Sequence, residues 1–66
     1  MRILVNGQPM DVGDGVTVED LLRGLGVRRE YTAVALNREV TARSRYATTV
    51  LHDGDRVEIV HPMAGG

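Results

Sequence analysis

Residues 2–26, RILVNGQPMDVGDGVTVEDLLRGLG, contain a change of hydrophobic period that determines the architecture. Asn6-Gly7 separates two apolar runs, and Asn-Gly is the strongest short-range hairpin signal because both residues tolerate the positive φ of a type I′ turn. Two antiparallel strands are therefore predicted, the second over residues 8–12. Because Pro9 has no amide hydrogen, we expect this second strand at a sheet edge, where a missing donor is harmless.

A helix is predicted directly after the hairpin. Its apolar residues fall at the spacing i, i+3, i+4 and i+7 of one helical stripe: Val18, Leu21, Leu22 and Leu25. Thr17, with Asp20 three residues later, is a variant of the capping box, and Gly26 suits the left-handed residue that follows a last turn. Both ends of the helix are thus specified.

The second half of the chain contains shorter elements. TAVALN (32–37) is typical of a buried strand, and Asn37-Arg38 predicts a turn into the short strand EVT. ARSRYATTVL (42–51) is ambiguous. In one interpretation Ser44 caps a single helical turn that holds Tyr46, and TTVLH then forms a short strand.

The last strand follows a tight turn at Asp53–Asp55. It alternates, so that Val57, Ile59 and His61 face one way and Arg56, Glu58 and Val60 the other. A helix laid across one face of a mixed sheet is the simplest way to bury the single helical stripe.

Length, charge and cysteine content exclude several classes of protein. A chain of 66 residues makes one domain without a large cleft, and its lack of cysteine excludes disulfides and thiolate metal sites. Eight basic and nine acidic residues are interspersed, so there is no basic stripe for nucleic acid. The first apolar run is too short for a signal peptide or a membrane span. We expect no membrane association and a cytoplasmic location.

No metal site is assigned. His52 and His61 are nine residues apart on different elements with no thiolate nearby, which favours ordinary surface or strand positions. The Asp-Gly-Asp segment is interpreted as a turn because the rest of a calcium-loop pattern is missing.

The order of these elements, closed by Gly65-Gly66, resembles the ubiquitin-like β-grasp proteins, and within them the ThiS family of sulfur carriers of thiamine (thiazole) biosynthesis. The resemblance rests on the segments MRILVNGQPM, VTVEDLL, VALN, VLHDGDRVEIV and AGG. It implies an α+β fold with a mixed sheet of four to five strands on one main helix. It also implies parallel first and last strands at the sheet centre, a folded domain over residues 1–61 and a flexible tail over 62–66.

The resemblance further implies a carrier protein and not an enzyme. In the family, a ubiquitin-activating-type adenylyltransferase uses ATP to adenylate the terminal carboxylate, here that of Gly66. A sulfur donor protein then converts it to a thiocarboxylate, and the thiazole synthase takes the sulfur into the ring. No cofactor is expected to be bound stably. Gly65, Ala64 and Met63 are expected to thread the active site of the partner.

Partner docking is predicted on the outward face of the sheet. Parity places Leu4 and Val60 on this face, adjacent if the first and last strands pair, and Pro62 and Met63 extend the candidate surface. Glu58 departs from the family, which tends to carry an apolar residue there.

Three other functions stay open. In the first, the sulfur goes to another metabolite, such as molybdopterin or cysteine. In the second, the chain is a ubiquitin-like protein modifier that attaches Gly66 to a lysine elsewhere. In the third, it is a noncovalent binding module with an incidental terminus.

Overall fold

The computed structural model describes residues 1–60, which form a mixed sheet with one α-helix packed on one face. In chain order the elements are β1 (Arg2–Val5), β2 (Gln8–Asp11), α1 (Val18–Leu25), β3 (Ala33–Leu36), β4 (Glu39–Thr41) and β5 (Arg56–Val60), with 3₁₀ turns at Arg29–Tyr31 and Arg43–Arg45. The strand order in this part of the chain is β2-β1-β5-β3-β4. The predicted α+β class is confirmed.

The first hairpin forms as predicted. Asn6 and Gly7 have φ values of 50° and 82°, as a type I′ turn requires. The antiparallel register runs from Arg2 opposite Asp11 to Val5 opposite Gln8. Because β2 lies at one edge of the sheet, the missing amide hydrogen of Pro9 breaks no ladder.

Helix α1 begins and ends at the predicted caps. The Asp20 N–H donates to Thr17 Oγ1 and the Thr17 N–H donates to Asp20 Oδ2, both at 3.1 Å, which completes a capping box. At the other end Gly26 adopts φ 72°, and the Val27 N–H donates to the Leu22 carbonyl at 3.0 Å. This is the Schellman arrangement, and it stops the helix after two turns.

Strand β5 lies at the centre of the sheet, between β1 and β3. It runs parallel to β1, with Leu4 opposite Arg56 and Val5 opposite Val57, and antiparallel to β3. The expectation of adjacent, parallel first and last strands is confirmed. Along β5 buried and exposed residues alternate as predicted.

The core is aliphatic apart from one tyrosine. Its fully or nearly buried residues are Ile3, Val5, Val18, Leu21, Leu22, Val34, Tyr46, Leu51, Val57 and Ile59. Strand β3 contributes only Val34 to this set, because only its helix-facing side is covered in the described part of the chain. The prediction of a buried strand thus holds for one face.

The interpretation of residues 42–52 is wrong in two respects. Ala42, not Ser44, is the N-cap of the 3₁₀ turn, and no side chain caps it. TTVLH forms no strand; it contributes one isolated bridge, between Thr17 and Val50. The physical reason is that this segment caps the helix, since the Thr49 and Tyr46 carbonyls accept from the first two amides of α1 at 2.9 and 3.0 Å.

Candidate functional site

The terminal segment that carries the predicted reactive group lies outside the described residues. This applies to Gly66, Gly65, Ala64, Met63 and Pro62, to His61, and to the predicted boundary between domain and tail. Their roles therefore stay predictions. The structure does describe β5, the strand that these residues follow, and the surface around it.

Both neighbours of β5 end in a turn whose first residue is an asparagine at positive φ, Asn6 after β1 and Asn37 after β3. The Ile59 N–H donates to Asn6 Oδ1 at 2.7 Å, and Asn6 Nδ2 donates to the Ile59 carbonyl at 3.2 Å. The Arg56 N–H donates to Asn37 Oδ1 at 2.9 Å. Each asparagine therefore pairs with β5 through its side chain at the point where the neighbouring strand ends.

The turn before β5 is held by two aspartates. Asp53 Oδ1 accepts from the Arg2 N–H at 2.8 Å, and Asp55 Oδ2 accepts from the His52 N–H at 2.7 Å. These carboxylates are therefore engaged with backbone amides, in agreement with the interpretation of this segment as a turn.

Leu4 and Val60 lie on the same outward face of the sheet, but the expectation that they are adjacent is wrong. The register pairs Leu4 with Arg56 and pairs Val60 with Ala33 across β3. Arg56 and Val60 are four residues apart, so Leu4 and Val60 are separated by roughly 13 Å along the strand direction. The alternation of side chains predicts the face correctly, but it does not determine the register between β1 and β5.

The outward face instead carries two apolar patches. Val60, 66% exposed, lies beside Ala33, while Ala35 in the same strand lies opposite Val40, which is 84% exposed. We call these four residues the Val60 patch. The half-buried Leu4 lies opposite Pro9 on the other side of β5.

Charged side chains of β5 separate the two patches. Arg56 and Glu58 are exposed on this face, and with Leu4, Asn6 and Gly7 they line a shallow depression of about 470 Å³. At the β1–β2 edge Arg2 Nε donates to Asp11 Oδ1 at 3.1 Å, and this hydrogen bond lowers the pKa of the Asp11 carboxyl. A partner that covers both patches must therefore accommodate charges of both signs between them.

Among residues 1–60, no three or more histidine, aspartate or glutamate side chains lie close enough together to hold a metal ion. In the same range, no helix has the length and apolar character needed to cross a membrane.

Comparison with known proteins matches the whole chain. Residues 3–66 match the model of the ThiS family. A crystal structure of a thiamine biosynthesis protein (ThiS) from Geobacter metallireducens is 40% identical, with a TM-score of 0.85 and 100% of both chains covered. The sulfur carrier protein ThiS of Escherichia coli is 36% identical over 100% of both chains. A thiazole synthase of Magnetococcus marinus is 42% identical over 100% of this chain, which spans 20% of that protein's length.

The five-stranded sheet on a single helix, together with these matches, defines a protein of the ubiquitin-like β-grasp class. Within that class, the chain belongs to the ThiS family.

Sequence reasoning missed the side-chain roles of Asn6 and Asn37. The sequence predicts both only as turn residues, and glycine or aspartate would suit a first position at positive φ equally well. The available signal was that the same amide side chain follows two predicted strands at the turns NG and NR.

Proposed function

We propose that the chain is a sulfur carrier of thiamine biosynthesis, whose Gly66 carboxylate is adenylated by a partner enzyme and converted to a thiocarboxylate that supplies the thiazole sulfur. The observation that carries the proposal is the match over the full length of both chains to a protein named as a sulfur carrier. The match to thiazole synthases supports the choice of acceptor over molybdopterin or cysteine. The chain itself is a carrier that other enzymes act on, and not an enzyme.

The chemistry requires a partner because an α-carboxylate is inert as it stands. With a pKa of about 3.3–3.7 it is anionic at neutral pH and resists nucleophiles. In the proposed sequence a carboxylate oxygen of Gly66 attacks the α-phosphorus of ATP, and pyrophosphate leaves. Hydrosulfide released by the donor protein then attacks the acyl carbon of the adenylate, AMP leaves with the electron pair of the broken C–O bond, and the remaining sulfhydryl proton passes to solvent. The product is a thiocarboxylate, a soft anionic nucleophile comparable to a thiolate.

The composition of the terminal segment suits entry into a narrow active site. Gly65 and Gly66 have no Cβ to obstruct a channel or to shield the acyl carbon from attack. Ala64 and Met63 continue the segment toward the domain, and Pro62 has no amide hydrogen that would need a ladder partner.

We further propose that the adenylating partner docks on the outward face of the sheet. The Val60 patch is the part of this face that best fits a partner, because its exposed valines lie around two alanines on neighbouring strands. It lies at the end of β5 from which residues 61–66 follow, so docking there places the partner next to the terminal segment. Leu4 belongs to a second contact, on the far side of Arg56 and Glu58.

Intact mass spectrometry of the chain, co-expressed with the genes that neighbour its own, tests the proposal. A species heavier by one oxygen-to-sulfur exchange at Gly66 is expected. Adducts with other proteins would favour a protein modifier, and an unchanged mass with every neighbouring gene present would contradict the carrier function.

Changes at the terminus provide the matched variants. Deletion of Gly66, or addition of one residue after it, is expected to abolish the mass shift, because either change moves the carboxylate out of reach. The far-UV circular dichroism of both variants should match that of the wild type, since the core lies within residues 3–59. Full complementation of a thiamine auxotroph by the extended variant would favour a noncovalent binding module.

A further inference from the structure

The Asn6 side chain makes contacts that a turn residue does not need. A type I′ turn requires only positive φ at this position, and Gly provides that as well as Asn does. Asn6 nevertheless donates to the Ile59 carbonyl and accepts from the Ile59 N–H, at 3.2 and 2.7 Å, across 53 residues of sequence. These two bonds need an explanation beyond the hairpin.

The explanation lies in the hydrogen bonds between β1 and β5. The Leu4 N–H donates to the Asp55 carbonyl and the Asn6 N–H donates to the Val57 carbonyl, both at 2.9 Å. In a regular parallel ladder the next step would pair both polar groups of Ile59 with backbone groups of residues 6 and 8. Residue 8 already belongs to β2, because the chain reverses at Asn6-Gly7. The amide of Asn6 supplies the missing donor and acceptor.

The two bonds hold the last part of β5. The Ile59 side chain is buried in the core, while Val60, the final residue of the strand, is exposed. Without Asn6 the N–H and carbonyl of Ile59 on the β1 side would have no strand to pair with, and strand ends open most readily where such bonds are lacking. On the other side β3 pairs with the same part of β5, with Ala33 opposite Val60, so Asn6 supplies the β1-side half of what fixes the chain just before residues 61–66.

We infer that Asn6 is a positioning residue for the carrier reaction: its amide fixes the end of β5 at Ile59 and so sets the point from which the terminal segment reaches into the adenylating enzyme. This inference rests on the proposed carrier function. It predicts that loss of the amide impairs the chemical step more than docking, because the Val60 patch and Leu4 are left unchanged while the carboxylate loses its fixed origin.

Asn37 provides a matched control within the same chain. It also sits at positive φ, with φ 51° against 50° for Asn6, and its Oδ1 also accepts from a backbone N–H of β5. That N–H belongs to Arg56, at the opposite end of the strand. Asn6→Gly and Asn37→Gly each keep a permitted turn, and each removes one side-chain amide that contacts β5. Both add the same conformational entropy to the unfolded chain.

The experiment measures two quantities for the wild type and both glycine variants. Amide hydrogen exchange by NMR reports protection at Ile59 and Arg56, and ATP–pyrophosphate exchange with the adenylating enzyme of the same organism reports kcat and KM. For Asn6→Gly we expect protection of Ile59 to fall about tenfold or more, since both its bonds on that side are lost. We also expect kcat to fall about tenfold with KM within about twofold of the wild type. For Asn37→Gly protection falls at Arg56 instead, and kcat and KM stay unchanged.

Each alternative outcome has a distinct meaning. Unchanged protection of Ile59 in Asn6→Gly would overturn the structural role of the amide. Lost protection with equal kcat in both glycine variants would overturn the positioning role and leave a purely structural one. If Asn6→Gly does not fold, Asn6→Asp keeps the side-chain size, the tolerance of positive φ and the acceptor for the Ile59 N–H, but lacks the donor to the Ile59 carbonyl. For this variant kcat and KM are the test: kcat should fall with KM unchanged, and a wild-type kcat would overturn the positioning role. A wild-type chain that the enzyme does not adenylate would remove the proposed function and the positioning role with it, while the exchange data still decide the role of the amide in the fold.

Discussion

Replacement of Tyr46 by alanine should remove a large part of the stability of the domain. Tyr46 is the largest fully buried side chain among the described residues, with 1% of its surface exposed. Deleting a buried aromatic ring costs about 3–5 kcal/mol, whereas a 66-residue domain has a total of about 3–10 kcal/mol. We therefore expect Tyr46→Ala to be partly or wholly unfolded at 37 °C.

Tyr46→Phe separates the ring from its hydroxyl. The hydroxyl donates to the Thr32 carbonyl at 3.3 Å, and this carbonyl also accepts from Arg43 Nη2 at 3.5 Å. Because the carbonyl keeps a second donor, the cost should lie in the lower half of the usual range, about 0.5–1 kcal/mol. For a domain of this size that lowers Tm by about 2–8 °C.

Thermal and urea unfolding, followed by far-UV circular dichroism, measures both effects. Tyr31, 60% exposed and the other tyrosine of the chain, is the control, and Tyr31→Ala should change the free energy of unfolding by less than about 0.5 kcal/mol. If the free energy of unfolding of Tyr46→Ala lay within about 1 kcal/mol of the wild-type value, or if Tyr31→Ala were equally damaging, the assignment of Tyr46 to the core would be wrong.

Three further experiments test the helix and the docking face. The backbone N–H of the N-cap residue, by its hydrogen bond, lowers the pKa of Asp20, so this carboxylate stabilises the fold above the unfolded pKa of about 3.9, and the stabilisation is lost as pH falls through the lower folded value. Asp20→Asn should thus lower Tm at pH 7, and the gap to the wild type should close in acid; a gap independent of pH would refute the linkage. Gly24→Ala should stabilise by about 0.5–1 kcal/mol because no atom lies within 4 Å of the added Cβ, whereas Gly26→Ala should destabilise by about 1 kcal/mol because its φ is 72°; equal effects in urea unfolding would contradict this. Val60→Asp should weaken binding of the proposed adenylating partner about tenfold by calorimetry, and Val50→Asp, outside the sheet, should not; equal losses would place docking elsewhere.

The elements that sequence predicted correctly are those with local signals. Asn6-Gly7 specifies its turn through the φ values of two residues, and Thr17, Asp20 and Gly26 specify the helix ends through contacts within a few positions. The alternation of β5 likewise needs no knowledge of its neighbours.

The errors concern relations between distant segments. The separation of Leu4 from Val60 depends on the register of β1 against β5, which parity does not determine. Residues 42–52 lack a strand because two of their carbonyls cap α1, and this tertiary contact cannot be predicted from a local sequence pattern. The amide role of Asn6 likewise depends on Ile59, 53 residues away. For the site, the sequence predicted the face that carries Leu4 and Val60, and the roles of residues 62–66 stay predictions.

The central position of β5 has a consequence for biosynthesis and turnover. The sheet is completed only when the strand nearest the carboxyl end inserts between β1 and β3, so folding must close a loop of nearly the whole chain. A nascent or truncated chain that stops before Arg56 leaves two unpaired strand edges and a core that lacks Val57 and Ile59, and both features favour aggregation or degradation. Incomplete copies should therefore be cleared by proteolysis and not accumulate beside the folded protein.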